Sequence, residues 1–358
     1  MSENTAVVVR VANGNQPTLS QENIAIPSPG ANQVLVKVSH VAQNPTDVQA
    51  FDSNAFGAGA VLGCDFVGEV VELGSQVTRF AKGDIVAGLI WGGEYSKSRF
   101  PSLFDLKLEI GVDFMLTARW IIGEIPGLGA YSHYCVADEK ISFSPPRSIL
   151  REQASTVPLA AATAWLALFS KTCLGIERVG AKGTSILVWG GSSSVGHSKH
   201  FELARSLGAK HVFDYKDQDI IQKIQASEPG ILHVFDTIGS PTSSTIASRV
   251  FKNGAGHLCT VRPGKANTEN VAPGTNVTDV LVWTAFLKDH SYGDFKWPAS
   301  KDDHELASEL FEKLPVWLDD KTLRPNQPQS RRGLNSVPEG FQEHRDGKVS
   351  AFKIVYEI

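Results

Sequence analysis

A strand, a turn of glycines and serines, and a helix follow one another between Ser185 and Ala209, and this order narrows the possible folds more than any other feature. The segment reads "SILVWGGSSSVGHSKHFELARSLGA". Further short apolar runs, "HVFDY", "LHVFDTIG" and "GHLCTV", alternate with helical stretches after it. Alternation of this kind is typical of βαβ units, so we predict a parallel sheet with helices on its faces in this half of the chain.

The first 150 residues have a different pattern. Short β-like runs are separated by glycines, as in "QVLVKVSHVA" and "AVLGCDFVGEVVELG", which indicates a compact β-rich domain. The pattern changes near Arg151, where an alanine-rich helical stretch begins, and the chain closes with a helical segment and the strand-like "GKVSAFKIVYEI". At 358 residues the chain is long enough for two domains, each with its own core.

Charge and composition exclude several classes of protein. The formal net charge is −4, with 34 lysines and arginines scattered among 38 acids, so we expect no nucleic acid and no membrane surface as a partner. No run approaches 18 uninterrupted apolar residues, and the chain has no secretory signal pattern, which favours a cytoplasmic protein. The four cysteines are far apart and form no CxxC pair, which argues against a disulfide framework and a zinc knuckle.

The turn "GGSSSVG", from Gly190 to Gly196, predicts a nucleotide-binding site. Small residues let the backbone approach a diphosphate, and the helix N-terminus offers it unpaired N–H groups. Such turns also join strands to helices without any ligand, and this alternative stays open. Asp214 follows Gly191 by about 20 residues, which is the spacing of an acid that binds the ribose of NAD.

Six segments together resemble the zinc-independent branch of the medium-chain dehydrogenase/reductase superfamily. In family order they read "VSHVAQNPTDVQ", "LGCDFVGEVVELGSQVTRFAKGDIVAGL", "GLGAYSHYCVADEK", "AAATAWLALF", "VWGGSSSVG" and "GKVSAFKIVYEI". The likeness is to quinone-oxidoreductase-like enzymes and to fungal enoyl reductases that act in trans with polyketide synthases. It implies an α/β protein with a GroES-like catalytic domain over residues 1–150, completed by residues 300–358, and a Rossmann-like dinucleotide-binding domain over residues 151–299.

The resemblance also bears on metal and cofactor. Zinc alcohol dehydrogenases of the superfamily hold a catalytic metal with two cysteines and a histidine, whereas the matching positions here carry Asn44, Cys64 and an alanine of "PLAAATAW". A catalytic zinc needs about three protein ligands, so we predict no metal. The resemblance then implies hydride transfer from NADP(H) to an activated C=C bond, while the protein orients the substrate and polarises its carbonyl group.

Residues are assigned to the two binding sites by their positions in the family motifs. The expected cofactor contacts are Thr46, Asp47, Val48, Gln49, Ser192, Ser193, Ser194, Val195, Gly196, Tyr215, Thr260, Val261, Arg262, Lys348 and Val349. The expected substrate-lining residues are Gly129, Ala130, Tyr131, Ser132, His133, Tyr134, Cys135 and Val136. Tyr131 is the candidate catalytic hydroxyl, and the alternative is a half-buried aromatic with its hydroxyl in water. Asp47 also suits the cap of a helix after "NP", and relatives often carry lysine in place of Gln49.

The sequence departs from the family in two places. The helix "FELARSLGA" follows the glycine turn at once, so one helix and the second strand, about 20 residues of the usual unit, are missing. The alignment therefore implies that the spacing of Asp214 is a coincidence. The loop that distinguishes NADP from NAD is absent as well, and NADPH is favoured because it is the usual cofactor of the family. Residues 95–123 form an atypical insert without periodicity. Together these departures suggest a gene model with one intron read through and one exon boundary misplaced.

Three functions follow from these observations. The first is an NADPH-dependent reductase of an enoyl thioester or enone, serving a polyketide synthase as a trans-acting partner. The second is a general quinone or enone reductase. The third belongs to another class, a cofactor-poor pseudoenzyme or the product of a faulty gene model.

Overall fold

The computed structural model describes residues 3–11, 16–90, 92–93, 125–126, 129–178, 183–190, 200–292 and 295–358. The chain packs as two units, one made of residues 1–159, 311–348 and 353–358 and the other of residues 160–310 and 349–352. The sequence analysis predicted that the second domain covers residues 151–299. The long segment of the second unit covers residues 160–310. The insert at 95–123 and the predicted cofactor residues 192–196 lie outside the described residues.

The described strands are numbered β1 to β17 in chain order. They are β1 Glu3–Arg10, β2 Thr18–Ala25, β3 Gln33–Ala42, β4 Asp65–Leu73, β5 Ile85–Leu89, β6 Gly92–Gly93, β7 Ile125–Pro126, β8 Tyr134–Asp138, β9 Ser142–Phe143, β10 Ile186–Trp189, β11 His233–Asp236, β12 Gly256–Thr260, β13 Thr275–Asp279, β14 His290–Tyr292, β15 Phe295–Trp297, β16 Gln327–Arg332 and β17 Phe352–Glu357.

The described α-helices are numbered α1 to α8 in chain order. They are α1 Pro45–Asp52, α2 Arg151–Ala154, α3 Pro158–Phe169, α4 Phe201–Ser206, α5 Ile220–Ser227, α6 Ser243–Ala247, α7 Lys301–Asp319 and α8 Val337–Arg345. Within the described part of the chain, no helix is long and apolar enough to cross a membrane.

The first unit is built on a sheet in the order β16-β17-β3-β4-β5-β9, with β8 also paired to β3. The central strands β3 and β4 pair antiparallel over most of their length. Consecutive residues of both strands are buried, as at Val34, Leu35 and Val36 and at Phe66 and Val67. Successive side chains point to opposite faces of a sheet, so both faces are covered here. The closing strand predicted from "GKVSAFKIVYEI" is β17, which lies inside this sheet beside β3.

The short strands β6 and β7 flank the insert. They pair antiparallel, with Gly93 opposite Ile125. The described residues on either side of the insert, Gly93 and Ile125, are therefore neighbours in space. This geometry is expected of an insertion, since the segments on either side would join through a short turn without it.

The second unit contains the predicted parallel sheet, in the order β10-β11-β12-β13. Its core cluster includes Trp189, Val234 and Leu258 from the strands and Ile220 and Ile224 from α5. Every third or fourth residue of α5 is apolar, so that one face of this helix packs on the sheet. The α/β prediction, with a β-rich first domain and a parallel sheet in the second, is confirmed.

The strand predicted over "HVFDY" does not form. Residues 211–214 belong to no strand or helix, and Phe213 packs against the core cluster of the second unit. The physical reason is the missing second strand, because the third strand of the usual unit pairs with it. Within the described residues β10 pairs with β11 alone, and Val188 is 49% exposed, which is unusual for a strand of a parallel sheet.

Candidate functional site

The turn between β3 and α1 begins the candidate site. Pro45 takes the first position of α1, where its fixed φ angle suits the helix and its missing N–H is not needed. The backbone N–H of Asn44 donates to Oδ2 of Asp47 over 2.7 Å. Asp47 therefore closes the first turn of α1 by the capping interaction that the sequence offered as an alternative role.

The carboxylate of Asp47 is 1% exposed and accepts two further hydrogen bonds from side chains. The thiol of Cys64 donates to Oδ1 over 3.2 Å, and the hydroxyl of Tyr131 donates to Oδ2 over 3.1 Å. Burial raises the pKa of Asp47 to about 6, although the three donors oppose this effect by stabilising the charged form. A carboxyl group with a pKa near neutrality is able to exchange a proton in the physiological range.

Tyr131 is 1% exposed, and its ring packs edge-on against Phe341 at 5.9 Å and Tyr356 at 5.6 Å between centroids. Burial is the main reason why the pKa of Tyr131 lies well above its ordinary value, so the phenol stays protonated at neutral pH. The sequence analysis left open the alternative that the hydroxyl of Tyr131 lies in water. The structure instead places this hydroxyl on the carboxylate of Asp47.

The predicted substrate segment, residues 129–136, leads into β8. Most of it is buried, while His133 is exposed and Tyr134 is half-buried. The hydroxyl of Ser132 lies 3.1 Å from the carbonyl oxygen of Gly129 and 2.8 Å from that of Tyr134. A Cβ atom on Gly129 would lie 2.4 Å from the carbonyl oxygen of Leu62, so this close approach requires glycine.

Asp65 is a second buried carboxylate beside this site, and the sequence reasoning assigned it no role. It is 0% exposed and accepts hydrogen bonds from Asn44 and from Lys353. Its charge contributes to the raised pKa of Asp47. The signal in the sequence was an acid directly after "GC" at the start of a buried strand, because a buried acid needs partners.

The positions that match zinc ligands in the superfamily are engaged in this hydrogen-bond network. Asn44 donates from Nδ2 to Asp65, and Cys64 donates to Asp47. Burial raises the pKa of Cys64 well above its ordinary value, whereas zinc binding requires a thiolate. Across the described residues, no group of three or more histidines, cysteines, aspartates or glutamates is placed to hold a metal ion.

The remaining predicted cofactor residues of the first unit lie on α1. Val48 is buried, Thr46 is half-buried and Gln49 is exposed. Near the end of the chain, Lys348 is exposed and pairs with Asp346 at 2.8 Å, and Val349 is half-buried.

The carboxyl ends of the parallel strands form the candidate cofactor edge of the second unit. Trp189, Asp236, Thr260 and Asp279 lie side by side in register across β10 to β13. Gly190, directly after β10, has a φ angle of +86°, and a Cβ atom there would meet Ile238 at 2.2 Å. Dinucleotides bind at this edge of open parallel sheets, and Gly190 permits a tight turn after β10. The rest of the predicted phosphate-binding turn, residues 191–196, lies outside the described residues.

Asp236 organises this edge and was missed by the sequence reasoning. Its fully buried carboxylate accepts the backbone N–H groups of Ile238 and Gly239 and the hydroxyls of Ser243 and Ser244, at 2.6 to 3.1 Å. It thereby fixes the turn from β11 to α6. An aspartate that ends an apolar strand and precedes a glycine and several serines was the available signal.

The predicted cofactor residues at the end of β12 and directly after it lie against this turn. Thr260 is buried, while Val261 and Arg262 are half-buried. The guanidinium Nε of Arg262 donates to the carbonyl oxygen of Gly239 over 2.9 Å, and the backbone N–H of Val261 donates to that of Asp236 over 3.1 Å. The structure thus brings these residues together with the Asp236 turn.

Tyr215 and Asp214 lie in the segment after α4. Tyr215 is 51% exposed, with the ammonium of Lys216 5.8 Å from its ring centroid. The carboxylate of Asp214 accepts the backbone N–H of Lys216 over 3.0 Å. Asp214 therefore has a local role in its own turn, and the interpretation of its spacing from the glycine turn as a coincidence stays a prediction.

Comparison with known proteins adds the family context. The alcohol dehydrogenase GroES-like domain matches residues 30–147. A trans-enoyl reductase of Alternaria alternata is 28% identical over 353 residues, which cover 96% of this chain and 97% of the relative. A zinc-type alcohol dehydrogenase-like protein of Schizosaccharomyces pombe is 26% identical over 363 residues, which cover 93% of this chain and 94% of that protein.

Solved structures agree with this assignment at the level of fold. An alcohol dehydrogenase superfamily protein from Novosphingobium aromaticivorans superposes with a TM-score of 0.70 at 20% identity, covering 99% of both chains. The assignment to the zinc-independent branch stays a prediction. The resemblance to trans-enoyl reductases is confirmed along nearly the whole sequence, and the chain carries an alcohol dehydrogenase GroES-like domain in a fold shared with alcohol dehydrogenase superfamily proteins.

Proposed function

We propose that the protein is an NADPH-dependent, zinc-independent reductase of activated carbon–carbon double bonds. The observation that carries this proposal is the similarity to a trans-enoyl reductase over nearly the whole chain. It is supported by the network around Asp47, in which Asn44 and Cys64 hydrogen bond to carboxylates at positions that bind zinc in other members of the superfamily. The substrate class is an enoyl thioester or an enone, and the proposed partner is a polyketide synthase that carries the acyl chain.

When bound, the reduced nicotinamide supplies the hydride. The chain itself supplies a protonated phenol, Tyr131, with a carboxyl group, Asp47, 3.1 Å behind it. A phenol has one O–H group, and that of Tyr131 donates its hydrogen bond to Asp47 while the carboxylate is charged. When Asp47 is protonated, its own O–H group donates to the phenol oxygen, and the Tyr131 proton becomes available to a substrate carbonyl or to the α-carbon.

Cofactor binding is the first test. NADPH should raise the melting temperature and quench the fluorescence of the seven tryptophans, with NADH at the same concentrations as the matched comparison. Consumption of NADPH is then followed with crotonyl thioesters, simple enones and quinones. Preference for the thioester supports the synthase-linked function, whereas preference for a quinone supports the general reductase.

A second candidate function rests on the edge of the parallel sheet. Val188 is 49% exposed on β10, and residues 211–214 form no strand beside it in the described structure. A Rossmann unit that lacks its second strand also lacks a ribose-binding loop, which favours the cofactor-poor pseudoenzyme. Failure to bind either nicotinamide at millimolar concentration would leave this candidate alone.

A further inference from the structure

The carboxylate of Asp65 joins three chain segments that are far apart in the sequence. Oδ1 accepts the backbone N–H of Leu159 over 2.7 Å. Oδ2 accepts Nδ2 of Asn44 over 3.0 Å and Nζ of Lys353 over 2.8 Å. Asp65 is fully buried and the side chain of Lys353 is 13% exposed, so this ion pair is shielded from solvent and salt.

Each of the three donors sits at the start of a structural element. Asn44 precedes α1, Leu159 is in the first turn of α3, and Lys353 is the second residue of β17. Lys353 also donates to the carbonyl oxygen of Thr156 over 3.1 Å. One ion pair therefore fixes the beginnings of two helices and a strand.

Two of these segments are also places where the chain passes between units. Leu159 is the last residue of the first unit before residue 160, and Lys353 is the first after residues 349–352. In both places, the residue that belongs to the first unit donates a hydrogen bond to the carboxylate of Asp65.

The third segment leads to the candidate site. Asn44 binds Asp65 through its side chain and Asp47 through its backbone N–H, and Asp47 accepts the hydroxyl of Tyr131. A continuous path of hydrogen bonds therefore runs from Lys353 through Asp65, Asn44 and Asp47 to Tyr131. If Lys353 loses its charge, a buried carboxylate keeps no cation, and the turn at Asn44 is expected to shift.

We propose that Asp65 and Lys353 are positioning residues, which hold the Asn44–Asp47 turn in the geometry that cofactor and substrate require. This inference rests on the proposed function. It predicts that the pair acts on binding and orientation through Asn44, without touching the reacting atoms. A displacement of about 1 Å in such a turn is enough to reduce activity about 100-fold.

The test compares Lys353→Met, which keeps the unbranched aliphatic part of the side chain without its charge, with Lys353→Arg, which restores the charge. Lys353→Met should raise the KM for NADPH about tenfold with a smaller change in kcat, and Lys353→Arg should recover most of the loss. Arg331→Met is the matched control, because it breaks another partly buried ion pair of the same unit, with Glu343 at 3.1 Å, that does not reach Asn44.

Hydrogen exchange supplies a readout that does not depend on activity. In Lys353→Met, peptides covering residues 44–52 and 156–160 should exchange faster than in the wild type, and in Arg331→Met they should not. Equal exchange in these peptides for both variants, or failure of Lys353→Arg to restore protection, would overturn the positioning role. If the wild type binds no nicotinamide, the proposed function fails while the exchange comparison still decides this inference.

Discussion

The hydroxyl of Tyr131 donates to Oδ2 of Asp47 over 3.1 Å, and both side chains are 1% exposed. The pKa of Asp47 is raised to about 6, and that of Tyr131 is raised well above its ordinary value, in both cases mainly by burial. The phenol therefore stays protonated at neutral pH while the carboxyl group titrates. The strength of this hydrogen bond should depend on pH because a charged acceptor binds a donor more strongly than a neutral one.

Replacing Tyr131 by phenylalanine should lower the free energy of unfolding by about 2 kcal/mol at pH 7, because a hydrogen bond to a charged group is lost. The loss should be smaller at pH 5, where Asp47 is mostly protonated. Urea unfolding at the two pH values measures both quantities. Tyr356→Phe is the control, because that hydroxyl donates to the neutral Gln43 over 2.5 Å and its loss should not depend on pH. Equal pH dependence in both variants would contradict the assignment.

Asp47→Asn should remove a pH dependence of stability. The pKa of Asp47 is raised from 3.8 to about 6, so the folded protein holds this proton more tightly than the unfolded chain. The corresponding stabilisation is complete below the unfolded pKa and is lost as the pH rises through 6, which amounts to roughly 3 kcal/mol in all. Relative to Asp47→Asn, the wild type should lose this amount between about pH 3 and pH 7 and nothing more above pH 7. Parallel stability curves for the two proteins would show that Asp47 titrates normally.

Gly63 and Gly59 allow backbone strain to be separated from steric contact. Both have a positive φ angle, +98° and +96°, but a Cβ atom on Gly63 would lie 2.8 Å from the backbone nitrogen of Tyr131, while one on Gly59 would meet nothing within 4 Å. Gly59→Ala should cost about 1 kcal/mol from strain alone. Gly63→Ala should cost at least about 1 kcal/mol more, and it should also perturb Tyr131. Thermal melts of both variants give the comparison, and equal losses would rule out the contact.

The pairing of β6 with β7 predicts that the insert is dispensable for the fold. Because Gly93 lies opposite Ile125, residues 94–124 can be replaced by Asn-Gly, which forms a two-residue hairpin turn. We expect the shortened protein to keep its melting temperature within a few degrees. A loss of cooperative unfolding would show that the insert is part of the folded structure. A transcript that encodes the chain unchanged would separately refute the faulty gene model.

The exposed edge of the parallel sheet gives a simple pair of variants. Val188→Lys should leave the free energy of unfolding within about 0.5 kcal/mol of the wild type, and it should reduce aggregation during refolding because a charged edge strand resists pairing with other chains. Val234→Lys is the control on the neighbouring strand, where the valine is 0% exposed, and it should prevent folding. Light scattering during refolding and urea unfolding measure the two effects.

The sequence predicted the fold where local patterns and packing agree. Short β-like runs separated by glycines identified β3 and β4, and the βαβ pattern identified β10, β11 and β12. The prediction of a strand over "HVFDY" was wrong. The run is apolar enough for a strand, but the strand that usually pairs with it is missing, and tertiary context decides strand pairing.

The candidate site was predictable only in part. The motif "NPTD" located Asp47, whereas the hydrogen bonds from Cys64 and Tyr131 depend on segments brought together by the sheet. Asp65 and Lys353 are 288 residues apart, and no local pattern links them. The ligand roles of the predicted cofactor and substrate residues remain predictions.

The bond between Asp65 and Lys353 also has a consequence for biosynthesis. Lys353 follows Asp65 by 288 residues, and β17 pairs with β3 inside the sheet, so these contacts form only after β17 has been synthesised. Until then, Asp65 lacks the cation of Lys353 and β3 lacks the neighbour that β17 provides. On this side, the early strands of the first unit therefore stay incompletely paired until the ribosome has added β17.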